Sequence, residues 1–187
     1  MMNQEKKVLT DAERIAVNKK IAESYLAAYD AKKVKDGATY ADWKFAEKAD
    51  YWSPYFGNEK IDLSSNPVSV GDSATFEALS YSIEFPDWAP ISFQCWPAVN
   101  GVAWKTEFGG HRKDSGAAMS FFAYSYIDTN EYGEIIHWET HVNSDYNDFL
   151  DAAIGTHGPF RNGSGEYMQA VYTKLGSAGI DLSKFMH

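Results

Sequence analysis

The stretch GEIIHWETHVN, residues 133–143, alternates between two kinds of side chain. Such a period of two predicts a β-strand whose two faces meet different surroundings. The side chains of one face are uncharged: Ile136, Trp138, Thr140 and Val142. The other face carries His137, Glu139 and His141, three groups suited to proton transfer. We therefore predict that this face lines a reactive pocket, with a solvent-facing strand edge as the alternative.

The chain before this stretch predicts three more strands, each joined to the next by a turn rich in Gly or Asn. Together the four predicted strands are residues 91–98, 102–108, 117–128 and 134–143. Consecutive hairpins of this kind build an antiparallel sheet.

The first third of the chain predicts helices. Thr10 and Glu13 have the spacing of a capping box and open a helix that runs to about residue 31. A short helix is predicted over residues 40–48, followed by a short strand over residues 49–54. Helices first and hairpins later indicate an α+β fold with helices packed on one sheet face.

Residues 57–71 are rich in Gly, Asn, Ser and Pro and predict a loop. Asp72 or Ser73 is predicted to cap another helix, which ends before Pro86. We expect no repeats and no low-complexity segment.

The last part of the chain predicts two helices, residues 146–154 and 166–175, with a break between them. We expect residues 1–9 to be a tail, residues 10–143 to form the α+β domain, and residues 144–187 to be a helical extension that packs on or near the pocket.

The composition narrows the classes of function. The 187 residues are 44% hydrophobic and carry a formal net charge of −9, which argues against disorder and against nucleic-acid or anionic-membrane partners. The aromatic content of 16% suits a pocket for a flat ligand. Cys95 is the one cysteine, so multi-cysteine metal sites are excluded. The polar start MMNQEKKVLT and the lack of a long apolar run predict a cytoplasmic protein.

Four short patterns, taken in order, resemble the SnoaL-like proteins of the nuclear-transport-factor-2-like, cystatin-like cone superfamily. They are FPDW after the third helix, GVAW entering a strand, the Gly110 to Gly116 turn, and the hairpin ending in YGEIIHW. The resemblance covers residues 10–143.

This resemblance implies a curved antiparallel sheet that forms a cone closed by helices, and a homodimer formed through the sheet. It also implies a small hydrophobic substrate and proton chemistry without a cofactor, with a carboxylate or His as base and a Tyr or neutral acid supporting an oxyanion. The superfamily includes ketosteroid isomerase, dehydratases, epoxide hydrolases, polyketide cyclases and silent binding domains, so the fold alone does not define the function.

The last strand departs from the family pattern Ile-x-Glu-x-Trp. His137 stands at the Glu position and Glu139 at the Trp position. A buried unpaired carboxylate is strongly disfavoured, and this favours a pocket around Glu139. Side chains two apart on one strand face are roughly 7 Å from each other. That spread leaves a metal site of two His and one carboxylate as the lesser alternative, and we predict none.

Other candidates complete the predicted site. The resemblance places a pocket carboxylate or phenol on the first strand, where alternation lets only one of Asp50 and Tyr51 face inward. Tyr25 and Tyr29 share a helix face and either reach the pocket or fill the core. The remaining candidate substrate-binding residues are aromatic: Trp52, Tyr81, Trp104, Phe122 and Tyr124. The pattern leaves open which face of residues 117–128 is concave.

Two classes of function follow. The first is a cofactor-independent lyase or dehydratase, with an isomerase or epoxide hydrolase as variants. Its expected substrate is a lignin-derived phenolic dimer that loses water and formaldehyde to form a stilbene, or an aromatic polyketide. The second is a non-catalytic binding domain. A buried Glu139 with a raised pKa would favour catalysis, and an exposed one would favour binding or a scaffold role.

Overall fold

The computed structural model describes residues 6–35, 43–65 and 67–184. The helices are α1 (Asp11–Ala28), α2 (Ala31–Lys35), α3 (Pro67–Tyr81), α4 (Asp145–Ile154) and α5 (Ser164–Ser177). The strands are β1 (Phe45–Trp52), β2 (Lys60–Asp62), β3 (Ala89–Ala98), β4 (Gly101–His111), β5 (Ala118–Thr129) and β6 (Ile135–Val142). Single 3₁₀ turns occur at Pro54–Phe56 and Leu182–Lys184.

The six strands form one curved sheet in the order β2-β1-β6-β5-β4-β3. The predicted α+β class and the hairpins from β3 to β6 are confirmed, and their pairing is antiparallel. The β1–β6 pair is parallel, with Asp50 opposite His137. Parallel neighbours need a long crossover, and here α3 and three hairpin strands lie between β1 and β6 in the chain.

Three local predictions are wrong. Residues 45–48, predicted as helix, belong to β1, because pairing with β6 at Phe45 and again at residues 50–52 holds the segment extended against its local helix propensity. Residues 40–42 of that prediction lie outside the described residues. Helix α3 begins at Pro67 and not at Asp72 or Ser73, and proline is favoured at the first helical position. The predicted loop over residues 57–71 also contains β2.

Helix α1 is fixed at both its start and its middle. The predicted capping box is present, with the Thr10 N–H donating to Glu13 Oε2 at 2.8 Å. Asn18 is fully buried; its Nδ2 donates to the carbonyl of Ala98 at 2.8 Å and its Oδ1 accepts from Thr129 at 2.9 Å. These bonds hold α1 against the sheet, so its later turns face the space between helices and sheet.

The C-terminal helices share the core of the preceding segment. Phe149 of α4 is fully buried and its ring lies 4.9 Å from that of Phe121 on β5. Tyr167 and Val171 of α5 are buried in the same cluster. Both predicted helices are therefore present, and they help to enclose the inner face of the sheet. Within the described residues, no helix is long and apolar enough to cross a membrane.

Candidate active site

A cavity of about 240 Å³ lies between the inner face of the sheet and helices α1, α3, α4 and α5. Half of the residues that line it are aromatic. Among the described residues, its lining includes no Lys, Arg or His, and its two acidic members are Glu77 and Asp62. This is an aromatic cavity with a small number of polar groups, the usual composition of a small-molecule site.

Glu77 reaches the cavity from α3. It shares one helix face with Ala74 and Tyr81, at spacings of three and four residues, and all three line the cavity. The sequence analysis missed Glu77. The signal that would have found it is a carboxylate on the otherwise apolar face of a helix in the segment ATFEALSY.

Burial raises the pKa of the Glu77 carboxyl to about 7. The residue is partly accessible, and because it belongs to the cavity wall, that accessible surface faces the cavity. Hydrogen bonds from the hydroxyls of Tyr29 and Tyr167 favour the charged form and hold the pKa below the level that burial alone would give. A carboxyl with this pKa exchanges its proton near neutral pH, as an acid–base catalyst must.

The hydroxyls of Tyr81, Tyr146 and Tyr167 form a cluster beside Glu77. Tyr81 and Tyr146 are hydrogen-bonded at 3.0 Å, and Tyr81 is also hydrogen-bonded to Tyr167. Burial first, and the Glu77 charge in addition, raises the pKa of each of the three phenols. They therefore stay protonated and can act as hydrogen-bond donors.

A second polar group lies on the sheet side of the cavity. Ser125 of β5 and Thr140 of β6 are hydrogen-bonded at 2.9 Å. Tyr51 is hydrogen-bonded to Thr140 and Ser53, and Tyr25 to Ser125. Burial raises the pKa of both phenols, so a ligand meets protonated hydroxyls on this wall as well.

The start of α5 is tied to the turn that follows β1. The N–H of Ser164 donates to Glu59 Oε2 at 2.5 Å. Gly163 precedes it with a φ of 89°, and a Cβ there would lie 2.7 Å from the same oxygen. This contact holds the first turn of α5, and with it Tyr167, over the cavity.

Four of the predicted residues line the cavity, namely Tyr25, Tyr29, Tyr51 and Tyr81. Trp104, predicted to bind substrate, lies in the core, 1% exposed, with its ring 4.9 Å from that of Tyr25. It therefore lies behind the wall that Tyr25 forms and is not among the lining residues.

The other predicted residues lie on the opposite, outer face of the sheet: His137, Glu139, His141, Asp50, Trp52, Phe122 and Tyr124. On β6, Trp138 and Thr140 line the cavity. The side chains that alternate with them, those of His137, Glu139 and His141, therefore face outward. On β1 the same alternation turns Tyr51 inward and Asp50 outward. The expectation that the His-Glu-His face lines the aromatic pocket is corrected by this arrangement.

The alternation itself fails at one residue. Ile136 was predicted to share the face of Trp138, but it is 40% exposed. The register of β5 and β6 shifts between the pairs Asp128–His137 and Thr129–Ile135, so Ile136 is an extra, bulged residue. The bulge returns Ile135 to the core, where it is fully buried.

The outer groups form a row of alternating acids and imidazoles. Asp50 is bonded to His137 Nδ1, Glu139 is bonded to His141 Nε2, and His137 Nε2 lies 3.6 Å from Glu139. The hydrogen bond with His141 lowers the pKa of Glu139, whose side chain is 29% exposed. Glu139 is half-buried outside the cavity and its pKa is lowered, so the condition stated above for catalysis is not met, and a catalytic role for these residues stays a prediction.

Metal binding gains no support from these groups. Within the described part of the chain, no cluster of His, Cys, Asp and Glu has an arrangement that could hold a metal ion.

No protein-family model matches the chain, and no curated protein matches it. Among solved structures it is similar to a SnoaL-like protein from Jannaschia sp. CCS1, with 8% identity and a TM-score of 0.46 over 82% of this chain and 96% of that one. It is similar to a steroid delta-isomerase from Pseudomonas aeruginosa, with 13% identity and a TM-score of 0.44 over 88% and 93%.

A third similar structure is the phenazine biosynthesis-related protein phzb2 from Pseudomonas aeruginosa, with 12% identity and a TM-score of 0.45 over 76% of this chain and 88% of that one. One of these three structures, the protein from Jannaschia sp. CCS1, is described as SnoaL-like, the family that the sequence motifs resemble. The site described above rests on the residues of this chain alone.

Proposed function

We propose that this protein converts a small hydrophobic molecule by general acid–base catalysis, with Glu77 as the group that transfers the proton. One observation carries the proposal: a carboxyl whose pKa burial raises to about 7 faces an aromatic cavity among protonated phenols. Strongly shifted acids in a cleft are typical of catalytic sites. Neutral acids and phenols also support developing oxyanions in such cavities.

The size and lining of the cavity favour an aromatic substrate. About 240 Å³ exceeds the roughly 150 Å³ that takes one benzene molecule, so one substituted ring fits. A second ring would extend to the more polar rim, where Asp62 and Ser164 lie. A phenolic dimer suits this shape.

The finer proposal is a lyase reaction on a 1,2-diarylpropane-1,3-diol with a para-phenol. Loss of the C1 hydroxyl as water, while the para-phenol gives its proton to solvent water, yields a quinone methide. Removal of the proton from the C3 hydroxyl then breaks the C2–C3 bond and releases formaldehyde. The electron pair of that bond forms the C1–C2 double bond and restores the aromatic ring as a phenolate, which takes a proton back from solvent. Oxidation states balance, since diol gives stilbene, water and formaldehyde.

In this scheme Glu77 performs two steps. Protonated, it gives its proton to the departing hydroxyl, and as carboxylate it takes the proton of the C3 hydroxyl. The Tyr29 and Tyr167 hydroxyls hold its pKa near the working pH, and the neighbouring phenols donate to the substrate oxygens. Each positioned acid or base contributes about 10²- to 10⁴-fold to the rate.

A non-catalytic binding domain is the second candidate. It is favoured by the outer position and lowered pKa of Glu139. On the same outer face, Trp96 and Tyr126 are 57% and 51% exposed. Exposed aromatic side chains suit a surface for a second copy, and a homodimer through this face stays part of the proposal.

The test is turnover of a diarylpropane diol, with stilbene and formaldehyde measured by chromatography. Wild type and Glu139→Gln are expected to release both products, and Glu77→Gln is expected to release neither above background. Tight binding without products in wild type would support the binding domain. Equal activity of Glu77→Gln and wild type would overturn the role of Glu77.

A further inference from the structure

The carboxyl of Glu77 reaches into the cavity from one of its walls. Glu77 belongs to α3, yet its carboxyl accepts hydrogen bonds from Tyr29 of α1 and Tyr167 of α5. To contact both of these helices, the side chain has to extend into the space between them, which the cavity occupies. Glu77 is partly accessible although protein groups surround its carboxyl, so the accessible surface belongs to the cavity.

Phenols face this carboxyl from the elements that enclose the cavity. Six tyrosines of the lining either donate to Glu77 or interact with its charge: Tyr25 and Tyr29 of α1, Tyr51 of β1, Tyr81 of α3, Tyr146 of α4 and Tyr167 of α5. Asp62 at the rim is the other acidic member of the described lining, and its carboxyl accepts from the N–H of Ser64 at 2.8 Å. The groups beside Glu77 are therefore uncharged.

An ionised Glu77 has no positively charged partner in the described part of the chain. The described lining contains no Lys, Arg or His, and no cationic side chain lowers the Glu77 pKa. A carboxylate has about four acceptor positions, of which Tyr29 and Tyr167 use two. Because a buried carboxylate without a countercharge is costly, a cation that enters the cavity would stabilise the ionised form.

The cavity suits an organic cation better than a metal ion. Half of its lining residues are aromatic, and aromatic rings attract ammonium groups at their faces. A metal ion needs several carboxylate or imidazole ligands, and the described residues contain no such cluster. The formal net charge of −9 also draws cations toward the chain.

We infer that the cavity is also a binding site for aromatic amines in their cationic form, with the ammonium group beside the Glu77 carboxylate and the ring among the phenols. About 240 Å³ exceeds the roughly 150 Å³ that takes one benzene molecule, so one ring with a short side chain fits. A cation bound there occupies the proposed proton-transfer group and inhibits turnover competitively. The inference rests on the proposed function only in that both use Glu77 in the same cavity.

The test uses two probes of one shape. Benzyltrimethylammonium has a permanent charge, so any dependence of its binding on pH comes from the protein. Neopentylbenzene has carbon in place of the nitrogen and is the uncharged control. Trp88 and Trp138 line the cavity, so tryptophan fluorescence reports the Kd of both probes.

The affinity of wild type for benzyltrimethylammonium should rise at least about tenfold between pH 5 and pH 8, because Glu77 ionises in this range. The affinity for neopentylbenzene should not rise. At pH 8, Glu77→Gln should bind the cation at least about tenfold more weakly than wild type, and its affinity should not depend on pH.

Glu166→Gln is the matched control for charge. Glu166 is exposed in the first turn of α5, next to Tyr167, and its replacement changes the net charge by the same amount. This variant should bind the cation within about twofold of wild type, because solvent screens an exposed charge. A loss as large as that of Glu77→Gln would mean that the net charge attracts the cation, and would overturn the inference.

A second readout needs no variant. The ¹³C resonance of the Glu77 carboxyl is followed against pH with and without saturating benzyltrimethylammonium. A ligand that prefers the ionised form has to favour ionisation in return, so the cation should lower the Glu77 pKa and neopentylbenzene should not. An unmoved titration overturns the inference even where Glu77→Gln does not fold.

The outcomes separate the two proposals. If Glu77→Gln abolishes turnover of the diol while wild type binds the cation no more tightly at pH 8 than at pH 5, this inference fails and the proposed function stands. If the cation lowers the Glu77 pKa while wild type releases no stilbene, the inference stands and the proposed function fails.

Discussion

The cavity between helices and sheet and the outer face of the sheet each contain a carboxylate among ring-bearing side chains, and the two carboxylates behave in opposite ways. On the inner side, burial raises the pKa of Glu77 to about 7, and its hydrogen-bond partners are neutral phenols. On the outer side, the bond to His141 lowers the pKa of Glu139. The comparison teaches that burial with neutral partners prepares a carboxyl for proton transfer, whereas an imidazole partner keeps it ionised.

The same strand serves both faces. Thr140 of β6 is hydrogen-bonded to Ser125 on the cavity side, while the neighbouring Glu139 and His141 pair with each other on the outer side. Helices cover only one face, so adjacent residues of one strand meet low and high dielectric surroundings.

The largest expected effect is on turnover. Glu77→Gln removes the exchangeable proton and should lower kcat by about 10²- to 10⁴-fold, while Glu139→Gln should stay within about threefold of wild type, a change of less than 1 kcal/mol in the barrier. Rates are measured by stilbene release, with circular dichroism as the control for folding. The reverse ranking would reinstate the outer His137, Glu139 and His141 row as the catalytic site.

The next effect is on the free energy of unfolding. The Glu77 pKa is about 7 in the folded chain against an ordinary value of 4.5, so the folded state binds more protons between these values. The contribution of Glu77 to the free energy of unfolding is therefore fully present below pH 4.5. It is lost as the pH rises to 7, by about 3 kcal/mol in total. Glu77→Gln should lose this dependence.

Urea denaturation of both proteins at pH 5 and pH 8 checks this expectation. The difference between the two pH values should be larger in wild type than in Glu77→Gln. Equal differences would mean that Glu77 titrates alike in folded and unfolded chains.

The next smaller effect is on the pKa of Glu77 in the cavity. The Tyr167 hydroxyl lowers the pKa of Glu77, so Tyr167→Phe should raise that pKa and move the pH–rate profile upward. The ¹³C resonance of the Glu77 carboxyl, followed against pH, gives the same answer without turnover. Tyr172→Phe is the control, since Tyr172 lies on the same helix and is 41% exposed. An unmoved titration would show that Tyr167 does not bond the carboxylate.

The smallest effect concerns the outer side. His141→Gln removes the partner that lowers the pKa of Glu139, so this pKa should return toward its ordinary value. A lowered pKa stabilises the fold above the unfolded value and loses this contribution as the pH falls through the folded one. The variant should therefore lose about 0–1 kcal/mol at pH 7 and less at pH 3. A loss of several kcal/mol would show that the row is structural.

The sequence by itself determined the elements whose signals are local. The capping box of Thr10 and Glu13 opens α1, the turns at Asn100-Gly101 and residues 130–133 join antiparallel strands, and the last two helices lie where their patterns predict them. In these cases neighbouring residues contain the physical cause, a satisfied N–H or a permitted turn.

Only the tertiary structure decided which face of each strand is inner. Alternation states that the two faces differ, but the helices decide which one is covered, and a single bulge at Ile136 breaks the period. Glu77 stands nearly fifty residues from Tyr29 and ninety from Tyr167, and its pKa depends on their meeting in one cavity. Burial and long-range contacts of this kind are properties of the folded chain, so the acid that best suits catalysis could be recognised only there.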